Sequence, residues 1–589
     1  MPDGSVRFRL WAPGQDHVGL HLHDAGAILI MEALEDGWFE LTTSAANAGS
    51  AYQFQLQDGF FVPDPASRLQ KDGVHGASII VDPASYEWRF PEWRGRPWQE
   101  AVIYELHTGA FSAMGSFDGI RRHLDHLVDL GVTVIELMPI ASFGGQRNWG
   151  YDGVLPFAPH RSYGDPATLK ALIDAAHERG LMIFLDVVYN HFGPDGNYLG
   201  KYAPQFFTSR HQTPWGDAID FSRPAVRQFF IHNALYWLTE YRFDGLRFDA
   251  VHAIADDSPV HILTELAETA RRQVGSERLI HLVLENDANI ARFLRRNPEG
   301  AYYDAQWNDD FHHVGHVLLT GEQDGYYADY ASETINRLGR SLTEGFVYQG
   351  EASSFRDGET RGEPSKDLPP FAFVNFLQNH DQIGNRAFGD RLAKLASLDA
   401  YRAMTAILLL APEIPLLFMG EEWRETKPFL FFCDFDGDLA EAVRNGRRRE
   451  FSRFPAFADP ESQARIPDPN AIETFQQSML DWNHRATNEA ALDLYRQLLA
   501  LRHREIMPRL GTTAGPASYR TEHDILLADW QLGTSRLQLV ANLTGRSIEH
   551  EISAAETRPL YVTHPQNGGT TIPPWYVAWY LHDEDGDTA

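Results

Sequence analysis

Three carboxylates in this chain stand where short apolar runs give out. Asp249 follows Gly245-Leu246-Arg247-Phe248, Glu285 follows His281-Leu282-Val283-Leu284, and Asp381 lies in Gln378-Asn379-His380-Asp381, just past the run that starts at Phe373. A fourth polar segment, Asp186-Val187-Val188-Tyr189-Asn190-His191, also closes such a run. Arg247 precedes Asp249 by two residues, so in a strand the two share a side. A fixed cation there keeps the carboxylate ionised and nucleophilic. Any one of these groups alone reads as a helix cap or a surface ion pair. Four of them at the C-terminal ends of barrel strands would meet at one mouth, where barrel enzymes gather their catalytic groups. Glycosidic cleavage needs such a set: one carboxylate attacks the sugar centre and a second, kept protonated, gives its proton to the leaving oxygen. A third holds substrate hydroxyls, a metal, or a neighbour's proton affinity.

The elements that must position these groups are legible as alternating strands and helices from about residue 97. Val102 to His107, Val134 to Pro139, Met182 to Val188, Gly245 to Phe248, Leu279 to Leu284, Phe373 to Leu377 and Pro415 to Met419 are strand candidates, with a weaker one at Tyr302 to Gln306. Met182 to Val188 is almost continuously apolar, as a parallel strand buried on both faces should be. Between them, Asp165-Pro166 gives a helix start, and Leu169, Leu172, Ile173 and Ala176 share one face. Further helices are expected after Ser116 and over 224–240, 400–409 and 492–504. Repeated βα units in this number favour a closed (β/α)8 TIM barrel. The stretches at 353–370 and 444–469 read as long polar loops.

Residues 1–96 alternate in short strands, such as Val6 to Trp11 and Tyr52 to Leu56, separated by Gly and Asp turns, which suggests a β-sandwich. Residues 91–97 read as a linker. From about 509 the β texture returns. The expected division is therefore an N-terminal β-sandwich at 1–96, a catalytic (β/α)8 barrel at 97–508 and a C-terminal β-sandwich at 509–589.

Composition narrows the partners. The chain has 589 residues and a formal charge of −30, so phosphate backbones and anionic lipid surfaces are repelled. Neither nucleic acid nor membrane is an expected partner; a neutral substrate is compatible. The single cysteine, Cys433, rules out an intrachain disulfide and reads as a packed apolar residue. The first residues form no signal peptide and no apolar run is long enough for a bilayer, so a cytoplasmic protein is expected and the sequon at Asn542 is a chance match.

The four segments Asp186 to His191, Gly245 to His252, Leu284-Glu285-Asn286 and Asn379-His380-Asp381 resemble, in order and spacing, the motif regions of the α-amylase family of glycoside hydrolases. The resemblance spans nearly the whole chain, including an isoamylase-like sandwich ahead of the barrel. It implies Asp249 as nucleophile, Glu285 as general acid/base and Asp381 as the carboxylate gripping hydroxyls of the reacting sugar. It implies substrate contacts from Tyr151, Asp152, His191, Arg247, His252 and His380, and support from Asp186. Within the family, Gly145 to Gly153, Glu285-Asn286-Asp287, Gln306 to His313 and Asn379 to Arg386 are similar to the trehalose-releasing members. These hydrolyse, with retention, the α-1,4 bond joining a malto-oligosaccharide to a terminal trehalose. That implies malto-oligosyltrehalose as substrate, a role in trehalose biosynthesis and coupling to a malto-oligosyltrehalose synthase. Gln382 and Trp215 are the candidates for reading the terminal glucose. The glycogen branching enzymes share the sandwich and all four regions, so α-1,4 to α-1,6 glucan transfer is the alternative. A sugar-binding protein without catalysis is disfavoured by the presence of all three carboxylates.

One rival constellation is His312, His313 and His316 beside Asp309 and Asp310, a set that could grip a divalent cation. Asp195-Gly196-Asn197 offers two oxygen ligands for calcium. The resemblance assigns no catalytic metal to either, and hydrogen-bonded histidines over the barrel mouth are the expectation. No cofactor is expected.

Overall fold

The computed structural model describes residues 1, 4–213, 216–297, 300–452, 454, 457–511, 515–550, 559–564 and 570–583. Its centre is a closed parallel barrel of eight strands: β1 (Ile103–Leu106), β2 (Val134–Leu137), β3 (Met182–Val187), β4 (Gly245–Phe248), β5 (His281–Leu284), β6 (Ala305–Trp307), β7 (Phe373–Phe376) and β8 (Ile414–Phe418), with β8 pairing back onto β1. Alternate residues point inward. Ile103, Val134, Phe184, Val283, Val374 and Leu416 belong to one apolar cluster that fills the interior. One layer nearer the C-terminal end, the inward positions turn polar: Glu105, Glu136, Asp186 and Arg247. Period-2 alternation thus builds a dry floor and a charged ceiling from the same strands.

The helices form as their caps dictate. Asp165 caps Pro166–Glu178 in a reciprocal capping box with Thr168. Ser116 caps Phe117–Arg121, and a second short helix, Leu124–Leu130, follows it, so the helix expected there is broken in two. The weak strand candidate is real but short, and shifted to Ala305–Trp307. The stretch expected as a loop over 444–469 is instead entered by the helix Gly437–Phe451 and carries a second short helix, Pro460–Ala464. The first helix places Arg447 against the carbonyls of Gly384 and Arg386, and Arg444 pairs with Asp468. Arg444 and Arg447 are thus spent on partners within the protein.

Before the barrel lie a three-stranded sheet (Val6–Trp11, Trp38–Thr43, Glu32–Ala33) and a five-stranded one that includes Gly19–Leu22 and Ala51–Gln55. After it, a five-stranded antiparallel sheet built on Ala517–Glu522, Ile525–Leu532, Ser535–Asn542 and Tyr576–Asp583 packs on the helix Thr334–Glu344. There the Trp530 indole donates to the Leu342 carbonyl at 3.1 Å.

The connection from the first sheets is stitched to the underside of the barrel. Asp174, fully buried, accepts from the Tyr86 hydroxyl and from the backbone N–H groups of Arg89 and Phe90 at 3.0–3.1 Å. Asp244, at the start of β4, accepts from the Trp93 indole at 2.7 Å, from His177 at 2.9 Å and from the Ile183 N–H at 3.0 Å. His177 and Arg278 beside it, with these donors, hold its carboxyl below the usual range despite burial. Among the described residues no helix is long and apolar enough to cross a membrane.

Candidate active site

Arg247 organises the mouth of the barrel. Its side chain is fully buried, and its guanidinium lies 4.1 Å from the Trp307 ring centroid. Nη1 donates to both oxygens of Asp186 at 2.7–2.8 Å and to Asp249 Oδ1 at 3.0 Å, while Nη2 donates to Glu285 Oε2 at 2.8 Å. One planar cation therefore fixes three carboxylates from three successive strands. This follows from register: Asp186 and Arg247 are directly paired across β3 and β4. Its other neighbour, β5, ends one residue before Glu285.

Each carboxylate has a second tether. Asn190 Nδ2 donates to Asp249 Oδ2 at 2.8 Å and to the Asp249 carbonyl at 2.9 Å. The chain then turns through Ala250 at φ 40°, a left-handed conformation uncommon for a residue with a Cβ. That turn aims the Ala250 N–H at Glu285 Oε2, 2.8 Å away. Burial pushes the Glu285 carboxyl above its ordinary value, and the Asp249 charge adds to the shift, against the pull of Arg247. Burial also raises Asp186, to about 7, although Arg247 opposes it.

Asp381 reaches the mouth from beyond β7. Its Oδ2 lies 3.4 Å from His380 Nε2, and Asn385 donates to Oδ1 at 3.2 Å. Burial raises its carboxyl, with His380 opposing. His380 is itself buried and is raised to about 9: its desolvation is outweighed by the charges of Asp381 and Glu105. Tyr151 stacks on the His380 ring at 5.1 Å and donates to Asp186 Oδ2 at 2.6 Å. The structure thus brings Asp249, Glu285, Asp381, Arg247, His380, Tyr151 and Asp186 into one bonded set.

The remaining sequence candidates are placed around it. His191 meets the Tyr151 carbonyl with Nε2 at 2.9 Å and Asn190 with Nδ1, and burial keeps it neutral, at about 4. Asp152 accepts from Asn148 at 2.6 Å. His252 is exposed on the turn Val251–Ala253, close enough to Glu285 to pull its carboxyl down. Gln382 donates weakly to Asp309 at 3.4 Å. Trp215 lies outside the described residues.

A cavity of about 240 Å³ opens from Glu285 and Asp381 and is walled by Asp287, Asp309, Phe355 and Gln382. Asp249 is not on its wall. The far wall is the segment between Ser353 and Arg361, expected from sequence to be a polar loop. It is pinned down: the Arg361 guanidinium donates to Asp310 at 2.8 Å and to the Asp287 carbonyl at 2.7 Å, and Arg356 pairs with Asp287. Spacing could not have found Arg356 and Arg361, because their partners lie 51–74 residues away. Asp309 was visible only as part of the histidine cluster. Burial and the nearby Glu285 and Asp287 charges raise its carboxyl well above the ordinary range.

Two of the three histidines of that cluster are taken up by protein partners, whereas His313, on the cavity wall, has a buried Nδ1 with no hydrogen-bond partner among the described residues. His312 meets the Leu377 carbonyl at 2.6 Å and the Tyr327 hydroxyl at 3.0 Å, and His316 meets Glu322 at 2.8 Å. Asp195 pairs with His75 at 3.1 Å, and Asn197 Oδ1 accepts from the Leu199 N–H.

The catalytic-domain profile of the alpha-amylase family matches residues 86–217. Malto-oligosyltrehalose trehalohydrolase from Deinococcus radiodurans is 43% identical over 86% of this chain and 82% of its own length. The enzyme of the same name from Saccharolobus solfataricus is 41% identical over 85% and 86%. Among solved structures, a putative alpha amylase from Salmonella typhimurium superposes with a TM-score of 0.93 at 46% identity, covering 98% of both chains. At this identity and coverage, and with this barrel, the chain belongs to the α-amylase family of glycoside hydrolases, in its malto-oligosyltrehalose trehalohydrolase group.

Proposed function

We propose that the enzyme cleaves the α-1,4-glucosidic bond next to the terminal trehalose of malto-oligosyltrehalose by double displacement, releasing trehalose and a malto-oligosaccharide. The observation that carries the mechanism is the Arg247 fork, which holds Asp249 and Glu285 on adjacent nitrogens of one guanidinium. Two carboxyls bonded to one guanidinium stand near each other, which supports the short spacing that retention needs (about 5–5.5 Å) over the wider one that holds an inverting water. Asp249 attacks the anomeric carbon. Glu285 first protonates the departing glycosidic oxygen and then takes the proton of the incoming water. Its Oε2 already accepts two N–H bonds, from Arg247 and Ala250, so the proton belongs on Oε1. Asp381 and His380 hold hydroxyls of the sugar in the cleaved position, with Tyr151 and Asp152 beside them. His191 and Asp186 keep Tyr151 and Arg247 in place. The reaction draws on the carboxyls alone, with no metal or cofactor.

The leaving trehalose fits the cavity beyond Glu285, where Gln382, Asp309 and Asp287 offer hydrogen bonds and Phe355 a ring face. A well-made buried polar set rejects sugars that leave it unpaired. We further propose that the barrel with its loops spans 97–508 between β-sandwich domains at 1–96 and 509–589. The enzyme then works in the cytoplasm downstream of a malto-oligosyltrehalose synthase. The test is sugar chromatography after incubation with malto-oligosyltrehalose and with amylose. The expected result is trehalose as the only small product from the reducing-end side, with kcat/KM at least ~100-fold above that for a malto-oligosaccharide of equal length, about 2.7 kcal/mol of differential transition-state binding. New α-1,6 branches in amylose would replace hydrolysis with branching.

A further inference from the structure

The carboxyls of the barrel ceiling and mouth (Glu105, Glu136, Asp186, Asp249, Glu285 and Asp381) outnumber the cations that touch them, Arg247 and His380. Low dielectric forbids so many like charges, so some carboxyls must carry protons. Glu105 and Glu136 are the informative pair. They are directly opposite each other across β1 and β2, and each is 1% exposed. Their partners differ completely. Glu105 accepts from the His380 ring through Oε1 at 2.5 Å and from the His380 backbone N–H through Oε2 at 3.2 Å. Neither oxygen of Glu136 has a hydrogen-bond partner among the described residues.

We propose that Glu105 is a positioning residue of the hydrolytic reaction: it fixes His380 as a cation facing Asp381, while Glu136 beside it stays neutral. This rests on the catalytic reading given above. A buried carboxyl without a protein partner is far cheaper protonated than charged, and burial together with the Glu105 charge pushes Glu136 well up. Glu105 and Asp381 outweigh the desolvation that would strip His380 of its proton. The other groups facing this set are Arg247 and Asp186 from β4 and β3, and His107 from the end of β1, which burial keeps neutral. The Tyr151, Trp149 and Trp307 rings enclose His380. The His380 cation opposes the upward pull of burial on Asp381, and its effect exceeds the weaker direct repulsion by which the Glu105 charge itself raises Asp381, so the influence of Glu105 through His380 is the larger one. Glu105 therefore sets how far into acid Asp381 remains ionised and able to grip the sugar.

The isosteric variants E105Q and E136Q separate this from simple packing. E105Q removes the counter-charge, so His380 loses its proton more easily and Asp381 gains one more easily. The acid limb of the kcat profile moves up by about one pH unit, a ~10-fold loss of kcat at pH 5 that narrows by pH 8, with KM within about threefold. E136Q, with a neutral group already in place, keeps the wild-type profile. A uniform loss at every pH in E105Q, or the same displaced limb in E136Q, overturns the proposal. Should E105Q not fold, nitrogen-15 histidine spectra of the wild-type enzyme decide, with the His380 signals assigned by their loss in H380Q. Both ring nitrogens protonated at pH 7.5 is the expected state; a neutral ring refutes it. The spectra do not depend on the substrate, so a wild type that fails to release trehalose would refute the functional reading and leave the histidine result standing.

Discussion

Arg247 allows the sharpest test of how the mouth is held together. In R247K the cation survives but the fork does not. An ammonium has its donors on one nitrogen, so it can serve the Nη1 side, with Asp186 and Asp249, but cannot also span to Glu285 as Nη2 does at 2.8 Å. One charge-assisted hydrogen bond is lost, about 2 kcal/mol, which is a ~30-fold drop in kcat/KM. R247M removes the cation outright. Each ion pair at about 3 Å is worth ~5 kcal/mol at an effective dielectric of 20, so the carboxylates take up protons and Asp249 ceases to be a nucleophile. A loss of ~10⁴-fold or more in kcat/KM is expected, near the effect of removing a catalytic group. Stability carries a second signature. Without Arg247 the buried carboxyls are tolerated only when protonated, so the fall in Tm should be small at pH 5 and larger at pH 8. The assays are initial rates on malto-oligosyltrehalose and calorimetry at the two pH values. R247K as inactive as R247M, or R247M within tenfold of wild type, would show that the shared cation is not what organises the site.

The other expectations are briefer. D249N and E285Q should each lose several orders of magnitude in turnover with unchanged circular dichroism. With a substrate whose leaving group departs unaided, azide should partly rescue E285Q and yield an α-glycosyl azide, the product of two inversions. Glu413 is 2% exposed and burial raises it to about 8, above its ordinary 4.5. A raised carboxyl stabilises the fold below the ordinary value and loses that contribution as pH climbs toward 8. E413Q should therefore have a higher Tm than wild type at pH 8.5 and no advantage at pH 5, a difference of a few kcal/mol at most; parallel Tm curves would dismiss the buried charge. Dialysis against EDTA should leave hydrolysis unchanged, whereas a loss restored by zinc would make ligands of His312 and His316.

The barrel could be read from the sequence because parallel strands buried on both faces are apolar runs, and because catalytic carboxyls sit where those runs stop. β6 was faint because it has three residues, one of them Gln306 and another Trp307, whose ring is spent on Arg247. The helix Gly437–Phe451 hid behind its arginines: charge density suggested a solvated loop, whereas Arg447 folds back onto backbone carbonyls. The partner of His380 could not be anticipated. Glu105 lies 275 residues earlier, and only closure of the barrel brings them together. The wall of the cavity was missed for the same reason: Gly and charge make 353–361 look mobile, and what stills it are two arginines with distant partners, Arg356 and Arg361.

The stitching beneath the barrel bears on where this protein can be divided. A chain shortened to begin at residue 97 would keep Asp174 and Asp244 but lose Tyr86, the Arg89 and Phe90 amides and the Trp93 indole that they bind. It would also strip the Arg94 and Arg96 carbonyls from Leu279 and His281 on the β5 segment. Two buried anions, Asp174 in the helix that precedes β3 and Asp244 at the start of β4, would be left short of donors, a defect of several kcal/mol. A grafting or domain-exchange experiment should therefore cut upstream of Asp82, so that the connecting residues travel with the catalytic half as its foundation.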